Sequence, residues 1–582
     1  MKVFLILKLL AYIFLFFFQK IKNFRYKFFY FIQITKDFFF FNLFKFKFNR
    51  SINPSKNYYF RKFTKLNNKI WHNNKINKKL TNNILLTSFV HTPEDTISNT
   101  LISKYLERNY KNAVITGLLD KPNIQAEITM RSFGVKNFIY LQKPNIIEHL
   151  KLFIKSFLLL NEINSIESFL KFKYRDVFHG KIISEHIIRH SGFPQIKKIN
   201  FKINFHFAEA LHVDKCFSRM LENNHYKSIV MSENQFLPSG IIFQRAINKK
   251  LDVFSRHGWP KHISVIKFSK PSEIYTARAQ VSKKIYKKLI KNNLNFASKV
   301  GKKIFFEKIN KGKDDVWKRE SIYVYGINQK KVLKKKDICN LFNWDPSKKI
   351  IGIYAHTFLD GNYVQGWRTF NDNYEWLLET LKFASKTQKY NFLAKPHPMD
   401  HFYKKSKITT KQVIKEFDKK FSNIKLFPEE LSPKSGFNVV DIGITSHGTA
   451  SIEFLAIGKP CITAGRTSWG DIVLNQKPIT KKQYFNNIKN ADKLKMPSQL
   501  MKKKIYTYLF IQQKLMVIEN PLLIDKWFDR ESDKNNYWKE NIKLFKKYKF
   551  EKDVFNKSFE YQVKKKIRHT VNLKFKNKLN FL

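Results

Sequence analysis

Two hydrophobic rhythms alternate along this chain from about residue 82 onward. Short apolar runs read as strands, and longer stretches with apolar positions three and four apart read as helices. In the first half the predicted strands are Ile84 to Val90, Ala113 to Gly117, Asn137 to Leu141, Ser228 to Met231 and Leu251 to Phe254. Helical sequence lies between them, including a run through Leu106 and another from Gly240 to Asn248. A Lys-rich helical segment, Lys270 to Lys335, links to a second series of strands at Ile350 to Ala355, Asn391 to Ala394 and Val439 to Thr445. Strands that alternate with helices imply parallel sheets joined by right-handed crossovers. The expected fold class is α/β, with two Rossmann-like units. No internal repeat is visible.

The most informative stretch is Val439 to Gly465, which reads as strand, tight turn, short helix, glycine stop and strand. Its first segment is β-branched and mostly apolar apart from Asp441 and Gly443, as a strand buried on both faces should be. Ser446 stands where an N-cap belongs, followed by the small residues Gly448, Thr449 and Ala450. Ile452, Leu455 and Ala456 supply an apolar stripe, Gly458 a stop, and Pro460 prevents continuation. A helix starting directly after a buried strand turns unpaired N–H groups toward the crevice above the sheet, where phosphate binds readily. About fifty residues upstream, the strand ending at Ala394 runs into Lys395-Pro396-His397-Pro398. Two prolines hold a cation and an imidazole at that strand's carboxyl edge, the edge at which open α/β sheets bind ligands. As a bland alternative, KPHP is only a rigid turn.

The order KPHP, strand, S-x-G-T-x-x-x-E on a helix, then G-K-P resembles the nucleotide-binding half of the capsule polysaccharide biosynthesis glycosyltransferases. It is also similar to the CDP-glycerol glycerophosphotransferases. Further matches are Ile350 to Ala355 leading into His356-Thr357-Phe358-Leu359-Asp360-Gly361, the run Asn371 to Leu381, the turn Gly465 to Trp469 and the segment Thr480 to Phe485. The resemblance is good over roughly residues 345 to 490, vaguer over 80 to 300, and absent at both ends. It implies a GT-B-like fold, in which two Rossmann-like domains face each other across a cleft. The expected organisation is a basic, aromatic extension over 1–78, an acceptor domain with its helical linker over 79–335, a nucleotide-donor domain over 336–530, and a basic helix or tail over 531–582.

The implied activity is transfer of a sugar from a nucleotide-sugar donor to a growing surface polysaccharide or its lipid-linked acceptor. That chemistry needs stabilised negative charge on the departing phosphate and an acceptor hydroxyl that loses a proton. Lys395, His397, Ser446, His447, Gly448 and Thr449 are the expected donor and phosphate residues, and Glu453 is the expected partner of the ribose hydroxyls. Such fixed donors can replace a divalent metal, so no metal and no cofactor is expected beyond the nucleotide-sugar itself. The catalytic base is expected at strand ends of the first domain, with Glu233, His257 and Asp95 (beside Glu94) as candidates. His356 and Asp360 are expected to line the cleft from the other side. Alternatives are polyol-phosphate transfer, UDP-sugar 2-epimerisation and a non-catalytic scaffold of envelope assembly.

Composition changes this picture little. The formal net charge is +64 in 582 residues, which points toward anionic partners. Yet Lys far outnumbers Arg, and Phe, Asn, Ile and Tyr are abundant, as AT-rich codons favour; most of the charge is expected to be diffuse. No RNA-recognition, helix-turn-helix or zinc-finger signature is present, so nucleic acid is not an expected partner. There is also no Walker loop, no G-x-G-x-x-G after the first strand, no HExxH and no G-x-S-x-G elbow. His186 with His190, and His206 with Glu209 and His212, have metal-ligand spacing, although scattered histidines among sixteen are more often structural. Three separated cysteines, Cys216, Cys339 and Cys461, fit a reducing compartment.

The first fifty residues differ from the rest. Val3 to Phe18 is apolar apart from Lys8, but as a helix it would reach about 24 Å, short of a hydrocarbon core of ~30 Å. Aromatic and basic residues then alternate, as in a segment lying among lipid headgroups. An interfacial anchor, a short signal anchor and disorder are the three readings. The expectation adopted is a cytoplasmic protein, peripheral on the inner face of an anionic membrane.

Overall fold

The computed structural model describes residues 6–20, 57–71, 82–90, 92–110, 113–120, 123–141, 143–258, 261–314, 321, 324–325, 331–363, 366–403, 406–525 and 534–579. Most of the anchor expected over residues 1–50 lies outside the described residues, which here comprise only the helix 6–20.

The fold is α/β with two mainly parallel sheets. The first contains β1 (Asn83–Thr87), β2 (Ile115–Leu119), β3 (Asn137–Tyr140), β4 (Tyr226–Met231), β5 (Asp252–Gly258) and β6 (His262–Phe268). The second contains β7 (Ile350–Tyr354), β8 (Asn391–Lys395), β9 (Ile424–Leu426), β10 (Ile442–Thr445) and β11 (Cys461–Thr463). A final strand, β12 (Ile518–Glu519), returns to the first sheet. The strand orders are β12-β6-β5-β4-β1-β2-β3 and β11-β10-β7-β8-β9. Among the described strands of the first sheet only β6 is reversed, antiparallel to both β5 and β12.

The strands of the hydrophobic reading are present with shifts of a few residues, and one difference has a physical cause. The expected strand from Val439 begins only at Ile442, because Ser432 caps a helix over Pro433–Val439 with proline in its first turn. The two exceptions in that strand are also explained. Asp441 accepts from the Ile350 amide at 2.8 Å and pairs with Lys335 at 3.0 Å, stitching the start of β10 to β7. Gly443 leaves room for Phe454, whose ring would lie 2.6 Å from a Cβ there.

The Lys-rich segment after residue 270 folds as helices Lys283–Asn292 and Leu294–Lys311, which share a core with Phe454, Leu509 and Val440 of the second unit. A Cβ on Gly301 would strike the Tyr506 carbonyl, so two helices cross there at backbone distance. The basic C-terminal stretch, given no role on sequence, returns to the first sheet. Its helices Lys534–Lys547 and Val554–Lys564 bury Trp538, Phe545, Phe555 and Phe559 against Phe63, Trp71 and Tyr105. Lysines on the outer face disguise an aromatic stripe on the inner one.

Candidate functional site

Three adjacent parallel strands of the second sheet, β10, β7 and β8, end in register: Thr445 pairs with Tyr354, and Tyr354 with Lys395. Each strand places a histidine two residues past that row, namely His447, His356 and His397. Equal offsets on neighbouring strands bring the side chains side by side. The rings of His356 and His447 stack with centroids 4.2 Å apart, and those of His356 and His397 lie 5.5 Å apart. Burial is the first cause that keeps these imidazoles neutral, with nearby positive groups second. His356 is brought down to about 4 by burial and the Arg368 charge. His397 is brought down to about 3 by burial, His356 and Lys395, and His447 lies well below its ordinary value for similar reasons.

The row is braced from the loop between β7 and the helix Asn373–Ser385. Arg368 donates to the Gly361 carbonyl, to Asn373 Oδ1 at 2.8 Å and to His447 Nε2 at 3.2 Å. With Nε2 accepting, the His447 proton sits on Nδ1, 3.0 Å from Ser446 Oγ, whose hydroxyl turns to Asn373 Oδ1 at 3.3 Å. Asn373 Nδ2 lies 3.1 Å from His356 Nδ1 and donates to the Thr357 carbonyl. The Met399 amide donates to His397 Nδ1 at 3.3 Å, which leaves that proton on Nε2. Burial takes Arg368 down to about 10, still fully charged near neutrality, and its Nε is buried without a hydrogen-bond partner. The edge therefore collects N–H donors and positive charge.

The reading of Ser446 as an N-cap is corrected. The helix covers Ala450–Ala456, with Thr449 at its cap position and no side-chain cap bond. Ser446 is instead buried in the row, while Gly448 and Thr449 form the turn into the helix. Lys395 ends β8 with its amine 5.0 Å from the Phe427 ring centroid and 5.8 Å from that of Tyr354. Glu453 lies one turn into the helix, accepting from Tyr325 Oη at 2.9 Å and pairing with Lys308 at 3.0 Å. Together with Thr449, Lys308, Asp314, Gln512 and Gln513 it lines a pocket walled by Ile304, Phe305, Ile452 and Leu509.

The candidates of the first sheet sit in different surroundings. Asp95 is buried, held by Arg256 and by Thr92 Oγ1 at 3.0 Å. Glu233 accepts from the Asn234 and Gln235 amides at 2.8 and 3.1 Å and faces Arg278 at 3.9 Å. His257 ends β5, brought down to about 3 by burial and by the Arg278 and Arg256 charges. Asn234 and Gln235 border a second pocket, between the two units, with Lys181, Tyr275 and Tyr363. Asp360 accepts from Tyr403 Oη at 2.9 Å and pairs with Arg189 of the first unit at 3.6 Å.

Sequence reasoning missed Arg368, Asn373 and Glu185. Arg368 and Asn373 lie in the loop and first helix turn after β7, so their position behind a strand end was the available signal. Glu185 gave none. It is a helix residue of the first unit whose carboxylate accepts from the Asn362 and Tyr363 amides at 3.1 and 3.0 Å, clamping the loop that carries Arg368. Burial, aided by Asp360, pushes it up to about 7. The His186 ring lies tilted to that of His190 and edge-on to that of His206, with centroids 4.4 and 5.0 Å away, and His206 meets Glu209 at 2.8 Å. His212 lies apart, 3.6 Å from Glu148. Among the described residues, no group of three His, Cys, Asp or Glu is disposed to hold a metal ion.

No family model matches the chain, and no curated protein does. Solved structures do resemble it. A β-Kdo 2,4 transferase, KpsC of Thermosulfurimonas dismutans, is 14% identical with TM-score 0.27, covering 48% of this chain and 79% of that one. The MnaA–UDP co-structure from S. aureus is 10% identical with TM-score 0.25, covering 73% and 91%. A trehalose-6-phosphate structure from E. coli, bound with UDP-2-fluoro glucose, is 9% identical with TM-score 0.28, covering 80% and 99%.

Proposed function

We propose that this protein is a nucleotide-sugar-dependent glycosyltransferase of surface polysaccharide synthesis, with the donor's diphosphate at the carboxyl edge of β10, β7 and β8. The observation that carries this reading is the in-register row His447, His356, His397, braced by Arg368 and bordered by Lys395 and Ser446. A departing nucleoside diphosphate develops negative charge, and donors already fixed in a partly dry site stabilise it without reorganising at the moment of reaction. Arg368 and Lys395 supply the charge. His397 offers Nε2–H, Thr449 offers a hydroxyl, and Ser446 does so once its hydroxyl turns from Asn373. This donor set gives the reading no need of a divalent metal.

The nucleoside would extend from Thr449 into the pocket beside Glu453, where a carboxylate can accept from ribose hydroxyls once Tyr325 or Lys308 yields. The acceptor would enter between the units, beside Lys181, Asn234, Gln235, Tyr275 and Tyr363. Glu233 stands next to that pocket and is the carboxylate of the first unit best placed to take the acceptor proton. Asp95 is already neutralised by Arg256.

The test is a thermal-shift screen of the full chain against UDP, CMP, CDP and GDP and their sugar conjugates. A nucleotide present at one hundred times its dissociation constant adds about 2.7 kcal/mol of stability. A shift with one nucleotide, lost in His397→Ala, supports the donor site and names its class; product analysis then separates sugar from polyol-phosphate transfer. No shift from a folded sample would move the reading to a scaffold.

A further inference from the structure

The helix 6–20 has two unlike faces. On one, Phe16 is fully buried, its ring 5.1 Å from Phe153 and 4.9 Å from His149, and Tyr12 meets Phe157 and Phe201 edge-on. The helices Ile146–Asn161 and Phe201–Asn223 thus hold it against the first unit. The opposite face is apolar and open to solvent. At 100° per residue, Ile6, Phe17, Leu10, Phe14, Leu7 and Phe18 follow one another within an arc of about 120°. All six are exposed, Phe14 at 72% and Leu10 at 56%. No charged residue falls inside the arc. Lys20 stands about 40° before it and Lys8 about 80° beyond it.

Single exposed apolar residues are ordinary on protein surfaces, but six in one arc are a contiguous patch. At the start of the supporting helix, Ile146 and Ile147 are also exposed, at 56% and 68%. The helix is about 22 Å long, and no described helix is long and apolar enough to cross a membrane. A helix that keeps its apolar face outward, with Lys20 near one margin and Lys8 farther round, is suited to lie in the plane of a bilayer surface. Those ammonium groups and the net charge of +64 complement anionic headgroups.

We propose that the outer face of the helix 6–20 is a docking surface for an anionic lipid bilayer, into which Ile6, Leu7, Leu10, Phe14, Phe17 and Phe18 dip while Lys8 and Lys20 meet the headgroups. Because the inner face is packed on the first unit, docking there holds that unit against the membrane. This inference does not depend on the chemistry proposed for the site.

The full chain is mixed with vesicles of phosphatidylcholine alone, or of phosphatidylcholine with phosphatidylglycerol, and floated through a density gradient. The expected result is flotation with the anionic vesicles, weakened at least about tenfold in Leu10→Glu/Phe14→Glu, ~1.4 kcal/mol. Those two side chains point to solvent, so circular dichroism and melting temperature should not change. Lys8→Glu/Lys20→Glu should lose less, and only at low salt. Absence of flotation overturns the proposal. So does flotation that the Leu10/Phe14 pair leaves untouched, since diffuse basic charge would then suffice. A wild-type dimer dissolved by that same pair would overturn it in favour of a second copy of the chain. A fall in melting temperature in the pair would show the face to be covered by the chain itself, and would overturn the proposal as well.

Discussion

The two sheets share one plan and use the polar groups at their strand ends in opposite ways. At the first sheet, Asp95 and Arg256 cancel one another inside the domain. At the second, three neutral imidazoles, a buried guanidinium, a lysine and a serine gather on one edge, with His447 joined to both Arg368 and Ser446. A set that cancels itself stabilises a fold. One that gathers hydrogen-bond donors and positive charge is held in place by the fold and suits the anionic ligand proposed for it.

This contrast can be broken most severely at Asp95. Asp95→Ala leaves Arg256 buried without its carboxylate, and loss of one partner of a buried pair costs about 3–5 kcal/mol. Chemical denaturation should show that loss, while nucleotide affinity measured on the remaining folded protein stays as in the wild type. A matching loss of affinity would mean that the first sheet belongs to the donor site.

Arg368→Lys keeps the charge and removes the fork that joins Gly361, Asn373 and His447. Turnover should fall about a hundredfold, ~2.7 kcal/mol of barrier. His397→Ala and Ser446→Ala should each cost more than about tenfold, ~1.4 kcal/mol, with the fold intact by circular dichroism. Equal activity in these well-folded variants removes the phosphate-site assignment.

Protons give the finest comparison. His257, His356 and His397 all lie below their unfolded values, at about 3, 4 and 3. Between roughly pH 4 and 6.5 the unfolded chain therefore binds protons that the native protein refuses. Their contribution to stability is complete above about 6.5 and is lost as the pH falls toward those lowered values. A bound diphosphate should favour the imidazolium form only in the second sheet's row. Calorimetry in buffers of different ionisation heat at pH 6 should then record proton uptake on nucleotide binding, reduced in His397→Ala and unchanged in His257→Ala. Uptake that depends on His257 would place that residue at the ligand.

The hydrophobic rhythm made most of the fold legible, because a strand buried on both faces must be apolar whatever its neighbours are. It missed β6, β9 and the two-residue β12, where the runs are short or punctuated by polar residues such as Lys267 and Lys425. It also missed the aromatic stripes of the C-terminal helices beneath their lysines. Of the candidate site, Lys395, His397, Ser446 and His447 were readable as strand-end residues with prolines or small residues beside them. Glu453 was legible by its spacing, but not its engagement with Lys308 and Tyr325, which come from segments more than a hundred residues away in the chain.

By itself, then, the sequence determined two α/β units, the strands that build them, and the chemical character of the second sheet's edge, all properties set by neighbours in the chain. Only the tertiary structure decided the register that turns His356, His397 and His447 into one row, the arrival of Arg368 and Asn373 to brace it, the pairing that neutralises Asp95, and the clamp of Glu185 on the loop over the site. Register, charge cancellation and desolvation depend on which distant segments meet, and only packing settles that.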